Sequence, residues 1–435
     1  MNLSERLAER ARQGRPVRVL VIGCGKFATM FLAQARGTAG LEIAAVVDLD
    51  PDRARANLRA AGWTAEELAG LPLYADADAA LELPDLEVVV EATGDPLAGA
   101  RHALAAIARR LHVVMVNVEA DVLCGPAIAR RARAAGVVYG LAYGDQPALV
   151  CELVDWARSC GFPVAAAGKG TKYLPAYHAS TPDTVWRHYG ITAEHAAASG
   201  MNPKMFNSFL DGTKSAIEMA AVANATGLAV PRDGLAFPPA GTGDLATVLR
   251  PRAAGGCLEA AGMVEVVSCL HRDGRPVADD LRWGVYVVIE APGDYTARCF
   301  RDYGMVTDPS GRYTSLWRPY HLIGLELGIS VARAALYREA TGSAAAWRGD
   351  VAACAKRDLA AGEVLDGEGG YRVWGKLVPA ARAAREGLLP IGLAHGVRLR
   401  RAVTAGELLT FADIEEPPAG EAAALRAEME PDPSD

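Results

Sequence analysis

No stretch of the 435-residue sequence reaches 18 uninterrupted apolar residues, so nothing in it reads as a membrane-spanning helix. The eight cysteines (24, 124, 151, 160, 257, 269, 299 and 354) form no CxxC pair and no His/Cys spacing of a metal site. Reduced cytosolic thiols, mostly packed in the core, are the expectation. Positive charge is not in excess: 45 Lys and Arg against 52 Asp and Glu leave a net charge of −7. That balance argues against nucleic acid as a partner, yet it permits an anionic small molecule, because sites are local. The N-terminal MNLSERLAERARQGRPVR is charged and lacks the apolar centre of a secretory signal, so a cytoplasmic protein is expected.

What is present is ordinary for a globular chain of two or three domains: 51% hydrophobic and 22% charged residues. Its most informative stretch is VLVIGCGKFA, Val19 to Ala28, followed by an apolar run ending in VDLD at Asp50. A strand stops at Gly23-Cys-Gly25 and a helix opens at Lys26. Gly23 permits a tight turn, and Gly25 lets backbone approach a pyrophosphate resting on the helix N-terminus. Ala28 stands where the third glycine of the fingerprint would be and still keeps helix and strand close. Asp48, 25 residues after Gly23, ends the second strand, where a carboxylate can accept from an adenosine ribose. The order strand, turn, helix, strand, acid points to a nicotinamide dinucleotide. Asp48 favours NAD over NADP by repelling a 2′-phosphate, while Arg53 and Arg55 offset that preference.

Apolar strands near 17–22, 42–48, 86–91, 111–117 and 136–141 alternate with amphipathic helices. The pattern is that of an α/β doubly wound parallel sheet, whose ligands bind beyond the carboxyl ends of strands. The strand-following segments EATGDP, VNVEAD and YGDQP therefore nominate Thr93, Gly94, Asn117 and Glu119 for the cofactor and Asp145 for chemistry. The expected division is a Rossmann domain over 1–160, an α+β substrate domain over 161–345, a small β-rich domain over 346–415 and an acidic, disordered tail over 416–435. In the third part KRDLAAGEVLDG and RAVTAGELLTFADI echo one another, each with a turn glycine before a strand.

In the substrate domain Lys169 sits between glycines in AGKG, Lys172 follows, and Lys204 lies in GMNPKM. Each reads either as a solvated lysine or as an anion contact. Arg318 and His321 are placed at the start of a helix near 321–337, Arg318 as a bidentate phosphate clamp, His321 as ligand or neutral core residue. Glu218 and Asn224 lie on the apolar helix DGTKSAIEMAAVANATGL, for which Asp211 is the expected N-cap and Gly227 the stop. Glu218 either pairs with Lys214 one turn earlier or faces a site.

These phrases together resemble a homoserine-dehydrogenase-like oxidoreductase family with a C-terminal SAF domain. It includes the enzymes that convert 1-deoxy-D-xylulose 5-phosphate to 2-C-methyl-D-erythritol 4-phosphate for isoprenoid synthesis. RPVRVLVIGCGKFA, VNVEADVLCGP, YGDQP, AGKGTK, NPKM, DGTKSAIEMAAVANATGL and RPYHLIGLE carry the resemblance, and KRDLAAGEVLDG, LPIGLA and AGELLTFADI look like the SAF part. The resemblance implies reduction of a carbonyl by NADH or NADPH, with Mg²⁺ or Mn²⁺ holding a hydroxyketone. It assigns Lys169 and Lys204 to the phosphate or carbonyl, and Asp145 and Glu218 to metal or proton transfer. Lys172, Asn224, Arg318 and His321 would contact substrate. The expected partners are a small anionic substrate and further copies of the chain. A dehydrogenase of a polyol, sugar acid or amino-acid semialdehyde is the rival enzyme, and a nucleotide- or carbohydrate-binding protein without turnover the rival of another class.

Overall fold

The computed structural model describes residues 2–432, in two compact units. The first comprises the chain up to Leu149 with His321–Ala345 and Ala424–Met429. Its strands β1 (Val17–Ile22), β2 (Leu41–Val47), β3 (Leu73–Tyr74), β4 (Val88–Glu91), β5 (His112–Met115) and β6 (Tyr139–Leu141) form one sheet, ordered β3-β2-β1-β4-β5-β6. Every pairing in it is parallel. Strands covered on both faces read as continuous apolar runs, and VRVLVI accordingly has five of its six residues buried. The doubly wound α/β class expected from the sequence is therefore present. Only β3, two residues long, is too short to leave a periodic signal.

The core of this unit joins Val19, Val21, Phe31 and Leu32 to Leu327, Val331 and Ala332 from far downstream. The apolar face of the helix Gly328–Tyr337 completes the packing. This is why 321–345 belongs with the nucleotide-binding sheet, rather than with the substrate domain to which the sequence assigned it. That helix opens at Gly328, seven residues after His321, so Arg318 and His321 are not at its N-terminus. Arg318 ends a strand, and His321 lies in an irregular segment.

The second unit comprises Val150–Tyr320, Ala346–Ala423 and the described residues after Met429. Its strands β7 (Val164–Thr171), β8 (Met263–Ser268), β9 (Val285–Glu290) and β10 (Tyr313–Arg318) make a mixed sheet ordered β10-β9-β7-β8. β11 (Gly349–Ala355), β12 (Val364–Asp366), β13 (Val373–Pro379) and β14 (His395–Arg398) pair as β11·β13 and β12·β14. The helix Thr213–Thr226 packs against β7 and β8 as well as β11 and β13, which buries it on almost every side. Asp211 does accept the Thr213 N–H (2.9 Å), but through the residue before Gly212, and Gly227 ends the helix in the left-handed region as expected.

The segment from 346 does not stand apart from this helix. Asn224 Oδ1 accepts the N–H groups of Arg348 (2.8 Å) and Gly349 (2.9 Å), and Thr213 Oγ1 accepts that of Gly375 (2.8 Å). The two echoing phrases pair with one another through reciprocal Leu359–Val403 backbone hydrogen bonds of 2.8 and 2.9 Å. Their turn glycines adopt matching conformations, with φ +84° at Gly362 and +83° at Gly406. The tail is not disordered over its described part: Glu421–Ala427 is helical, and Ala422, Leu425 and Met429 are buried. Residues 433–435 of the tail lie outside the described residues.

Candidate functional site

The parallel sheet brings the segments after β1, β2, β4, β5 and β6 to one edge, because parallel strands end on the same side. At its centre Gly23 has φ +92°, and a Cβ there would lie 2.7 Å from the Ala92 carbonyl carbon. Only glycine permits both the turn and that approach. Gly25 is different: nothing lies within 4 Å of where its Cβ would be. It caps the helix Lys26–Ala35 without a side-chain hydrogen bond, no acid occupies the first turn, and Lys26 is exposed there. A lysine opposes the helix dipole unless an anion joins it, so the residues fit a pyrophosphate. Ala28 is fully buried against the sheet and does the packing work of the missing glycine.

Asp48 is buried, and its oxygens are already engaged. Oδ2 accepts the Cys24 N–H (2.9 Å), and Oδ1 accepts from the Asp50 N–H (3.0 Å) and the Arg53 guanidinium (2.7 Å). Burial pushes the carboxyl up, but these donors outweigh it and hold the group below the usual carboxylate range. Asn57 Nδ2 donates to the Cys24 carbonyl (2.9 Å), so the turn is pinned from both sides. Leu49, next to Asp48 in the chain, is 93% exposed.

At the end of β4 the sequence singled out the segment but not Glu91 itself, which is completely buried. Its Oε1 accepts from Thr93 Oγ1 (2.6 Å) and meets His102 Nδ1 (3.1 Å), while Oε2 has no hydrogen-bond partner among the described residues. Gly94 follows at φ +75° and is exposed. Asn117 caps the helix Val118–Ala135 through the Ala120 N–H (3.1 Å) and donates to the Asp95 carbonyl (2.7 Å), tying the β4 and β5 loops together. Glu119 is half-buried in the first turn of that helix, and buried Asp145 accepts the Gln146 N–H (2.9 Å) after β6.

The second unit holds the remaining candidates. Lys169 is neither a turn residue nor solvated: it lies inside β7, 6% exposed, with its Nζ on Glu218 Oε2, itself 3% exposed. The flanking glycines serve packing. A Cβ on Gly168 would lie 1.8 Å from the Glu265 carbonyl oxygen, and one on Gly170 would lie 1.9 Å from that of Leu281. Lys172 donates to the His188 carbonyl and sits over the Tyr189 ring, 5.5 Å from its centroid. Arg282, which the sequence gave no reason to choose, is 5.8 Å from the same centroid. Burial, then the Arg282 charge, holds the Lys172 ammonium below its usual range. Neither cation makes an ion pair with a described residue.

Four candidates are placed otherwise. Lys204 donates to the Asp366 carbonyl (2.6 Å). Asn224 is fully buried, with its amide engaged by the backbone of residues 348 and 349, and has no surface to offer a substrate. Arg318 falls in the second unit and His321 in the first. Among the described residues no three His, Cys, Asp or Glu side chains converge to hold a metal ion. No helix among them is long and apolar enough to cross a membrane.

The family model of the homoserine dehydrogenase NAD-binding domain matches residues 23–140, and that of the catalytic domain of oxidoreductase DRL matches residues 144–327. Similar solved structures include a myo-inositol dehydrogenase from Lactobacillus casei (20% identity, 39% of this chain and 50% of that one, TM-score 0.29). Another is a homoserine dehydrogenase from Thiobacillus denitrificans (21% identity, 49% of each chain, TM-score 0.36). A third is the WlbA dehydrogenase from Bordetella pertussis (20% identity, 37% of this chain and 48% of that one, TM-score 0.28). The chain thus spans about half the length of each. No curated protein matches it. The parallel sheet thus carries a sequence similar to the NAD-binding domain of homoserine dehydrogenase, and the chain after it is similar to an oxidoreductase catalytic domain.

Proposed function

We propose that the enzyme reduces the carbonyl of a small phosphorylated polyhydroxy compound, in the manner of the 1-deoxy-D-xylulose 5-phosphate reductoisomerase-like enzymes. The observation that carries this reading is the pairing of Lys172 with Arg282 over Tyr189 without a carboxylate between them. Two adjacent like charges are costly unless an anion joins them, and a phosphate suits both.

The bound nicotinamide would supply a hydride to the carbonyl carbon. Gly23, Gly25 and Lys26 would hold its pyrophosphate, with Asp48 and Arg53 at the ribose. Lys169 is the candidate to polarise the carbonyl oxygen and give it a proton as the hydride arrives; a proton from solvent would then recharge Lys169, and the Glu218 carboxylate would favour that return by stabilising the ammonium. Burial of both groups strengthens their action on developing charge. Asp145 is a further candidate for proton transfer. The C-terminal β-rich segment is read as SAF-like.

The test follows the absorbance of reduced nicotinamide with 1-deoxy-D-xylulose 5-phosphate as substrate, NADPH and NADH in parallel, with and without Mg²⁺ or Mn²⁺. Substrate-dependent oxidation is expected. Cofactor binding without oxidation would reject this substrate and favour a dehydrogenase of an unphosphorylated polyol, sugar acid or semialdehyde.

A further inference from the structure

A cavity of about 220 Å³ lies within the second unit, lined among others by His178, Asp233, Phe237, Trp374, Lys376 and Leu377. None of the candidate catalytic residues lines it. Its walls are flat and rigid. His178 stacks on Trp374 (3.8 Å between centroids, 22° between planes), and Phe237 stacks on Tyr173 (3.9 Å, 15°). The His178 ring is locked by two hydrogen bonds, Nδ1 to the Asp211 carbonyl (2.7 Å) and Nε2 to the Tyr173 hydroxyl (2.9 Å).

The wall at Phe237 is also strained. Its φ of +51° is one that an aromatic residue rarely adopts. The buried Glu265 carboxylate holds it there by accepting the N–H groups of Ala236 (3.1 Å) and Phe237 (3.3 Å). Strain of this kind persists where surrounding structure imposes it, and it gathers at ligand sites.

Two opposite charges line this cavity without meeting. Lys376 is half-buried, its stem lying across Gly234, where a Cβ would sit 3.2 Å from Cε. Asp233 is exposed. Neither makes an ion pair or a side-chain hydrogen bond with the other or with any described residue. A half-buried cation facing a stacked aromatic wall, with an unengaged carboxylate beside it, asks for a ligand bearing both charges and an apolar body. An apolar cavity of about 150 Å³ already holds a benzene ring, so this volume admits a ring or branched chain with a small charged head.

We propose that this cavity is a binding site for an α-amino acid zwitterion with an apolar side chain. Its carboxylate would lie on Lys376, its ammonium on Asp233, and its side chain against Trp374 and Phe237. The site is separate from the residues assigned to catalysis and does not depend on which substrate is reduced.

The experiment titrates the full-length protein calorimetrically with L-phenylalanine, and with 3-phenylpropionate and 2-phenylethylamine, which each keep one charge. L-phenylalanine should bind at least tenfold more tightly than either analogue. Lys376→Met and Asp233→Asn should each weaken it at least tenfold while NAD(P)H binding is unchanged. No binding of L-phenylalanine or of L-leucine would overturn the proposal. So would equal binding of the single-charge analogues, or binding that both variants leave intact. Should Lys376→Met fail to fold, Asp233→Asn on its exposed loop carries the test alone.

Discussion

The guanidinium of Arg53 lies 2.7 Å from Oδ1 of Asp48, at the one position that should decide between NAD and NADP. Asp48 alone would repel a 2′-phosphate, but here its charge is offset and both oxygens are engaged, while the Arg53 side chain is 61% exposed. Both cofactors should therefore be used. Arg53→Ala should lower kcat/KM for NADPH about 10- to 100-fold, the worth of one charge-assisted hydrogen bond, and hardly change it for NADH. Equal losses with the two cofactors would show that Arg53 only holds the loop.

Lys169 and Glu218 form a buried pair, so removing one partner has two consequences that must be separated. Lys169→Met should lower kcat by about 10²–10³-fold, as expected for losing a donor to developing negative charge. It should also destabilise the fold by about 3–5 kcal/mol, because Glu218 is left unpaired. The double variant Lys169→Met, Glu218→Leu should recover most of the stability and none of the activity, read by urea unfolding beside steady-state kinetics. Recovered activity would remove Lys169 from the chemistry.

The nucleotide-binding half was legible because its signals are local: an apolar run, a turn glycine and an acid at fixed spacing along one stretch of chain. Gly23 makes the turn its sequence position predicts, and the space beside Gly25 is open. The same reasoning failed at Gly168 and Gly170, which look like a loop around Lys169 but exist to admit the Glu265 and Leu281 carbonyls. What excluded a side chain there was backbone 97 and 111 residues away, beyond any local pattern. Asn224 misled for a related reason. A polar residue on an apolar helix signals a buried partner, but the partner was the backbone at 348–349 rather than a ligand. Arg282 and His178 carry no motif, and their surroundings are assembled only by tertiary structure.

Lys356 shows how the C-terminal segment is secured. Its buried Nζ donates to Asp211 Oδ2, the Ser180 carbonyl and the Gly370 carbonyl, each at 2.7 Å, which satisfies all three protons. Asp211 is fully buried, and burial alone would push its carboxyl up against the pull of Lys356. Lys356→Met should cost about 3–5 kcal/mol in urea unfolding, since a buried carboxylate loses its cation. Adding Asp211→Asn should restore part of that loss. A cost under about 1 kcal/mol would mean that Asp211 takes up a proton at little expense.

His178 should give the second unit an acid-labile component. The Asp211 carbonyl can only accept, so Nδ1 carries the proton and Nε2 accepts from the Tyr173 hydroxyl; the ring is neutral. Burial pushes its pKa down from 6.5 to about 4, with Lys376 and Lys356 adding to the effect against the pull of the Asp211 carbonyl. Between those values the unfolded chain binds a proton that the folded chain refuses, so stability rises with pH across that window. The contribution is complete above pH 6.5 and lost as pH falls toward 4, on the order of 2–3 kcal/mol. Glu265, pushed up to about 7 by burial, acts in the opposite sense and favours the folded state at low pH, so the wild-type profile alone is ambiguous. The difference between wild type and His178→Gln isolates the histidine. Followed by urea unfolding from pH 7 to pH 4, the variant should lose less stability on acidification. Parallel profiles for the two proteins would mean that His178 titrates normally in the fold.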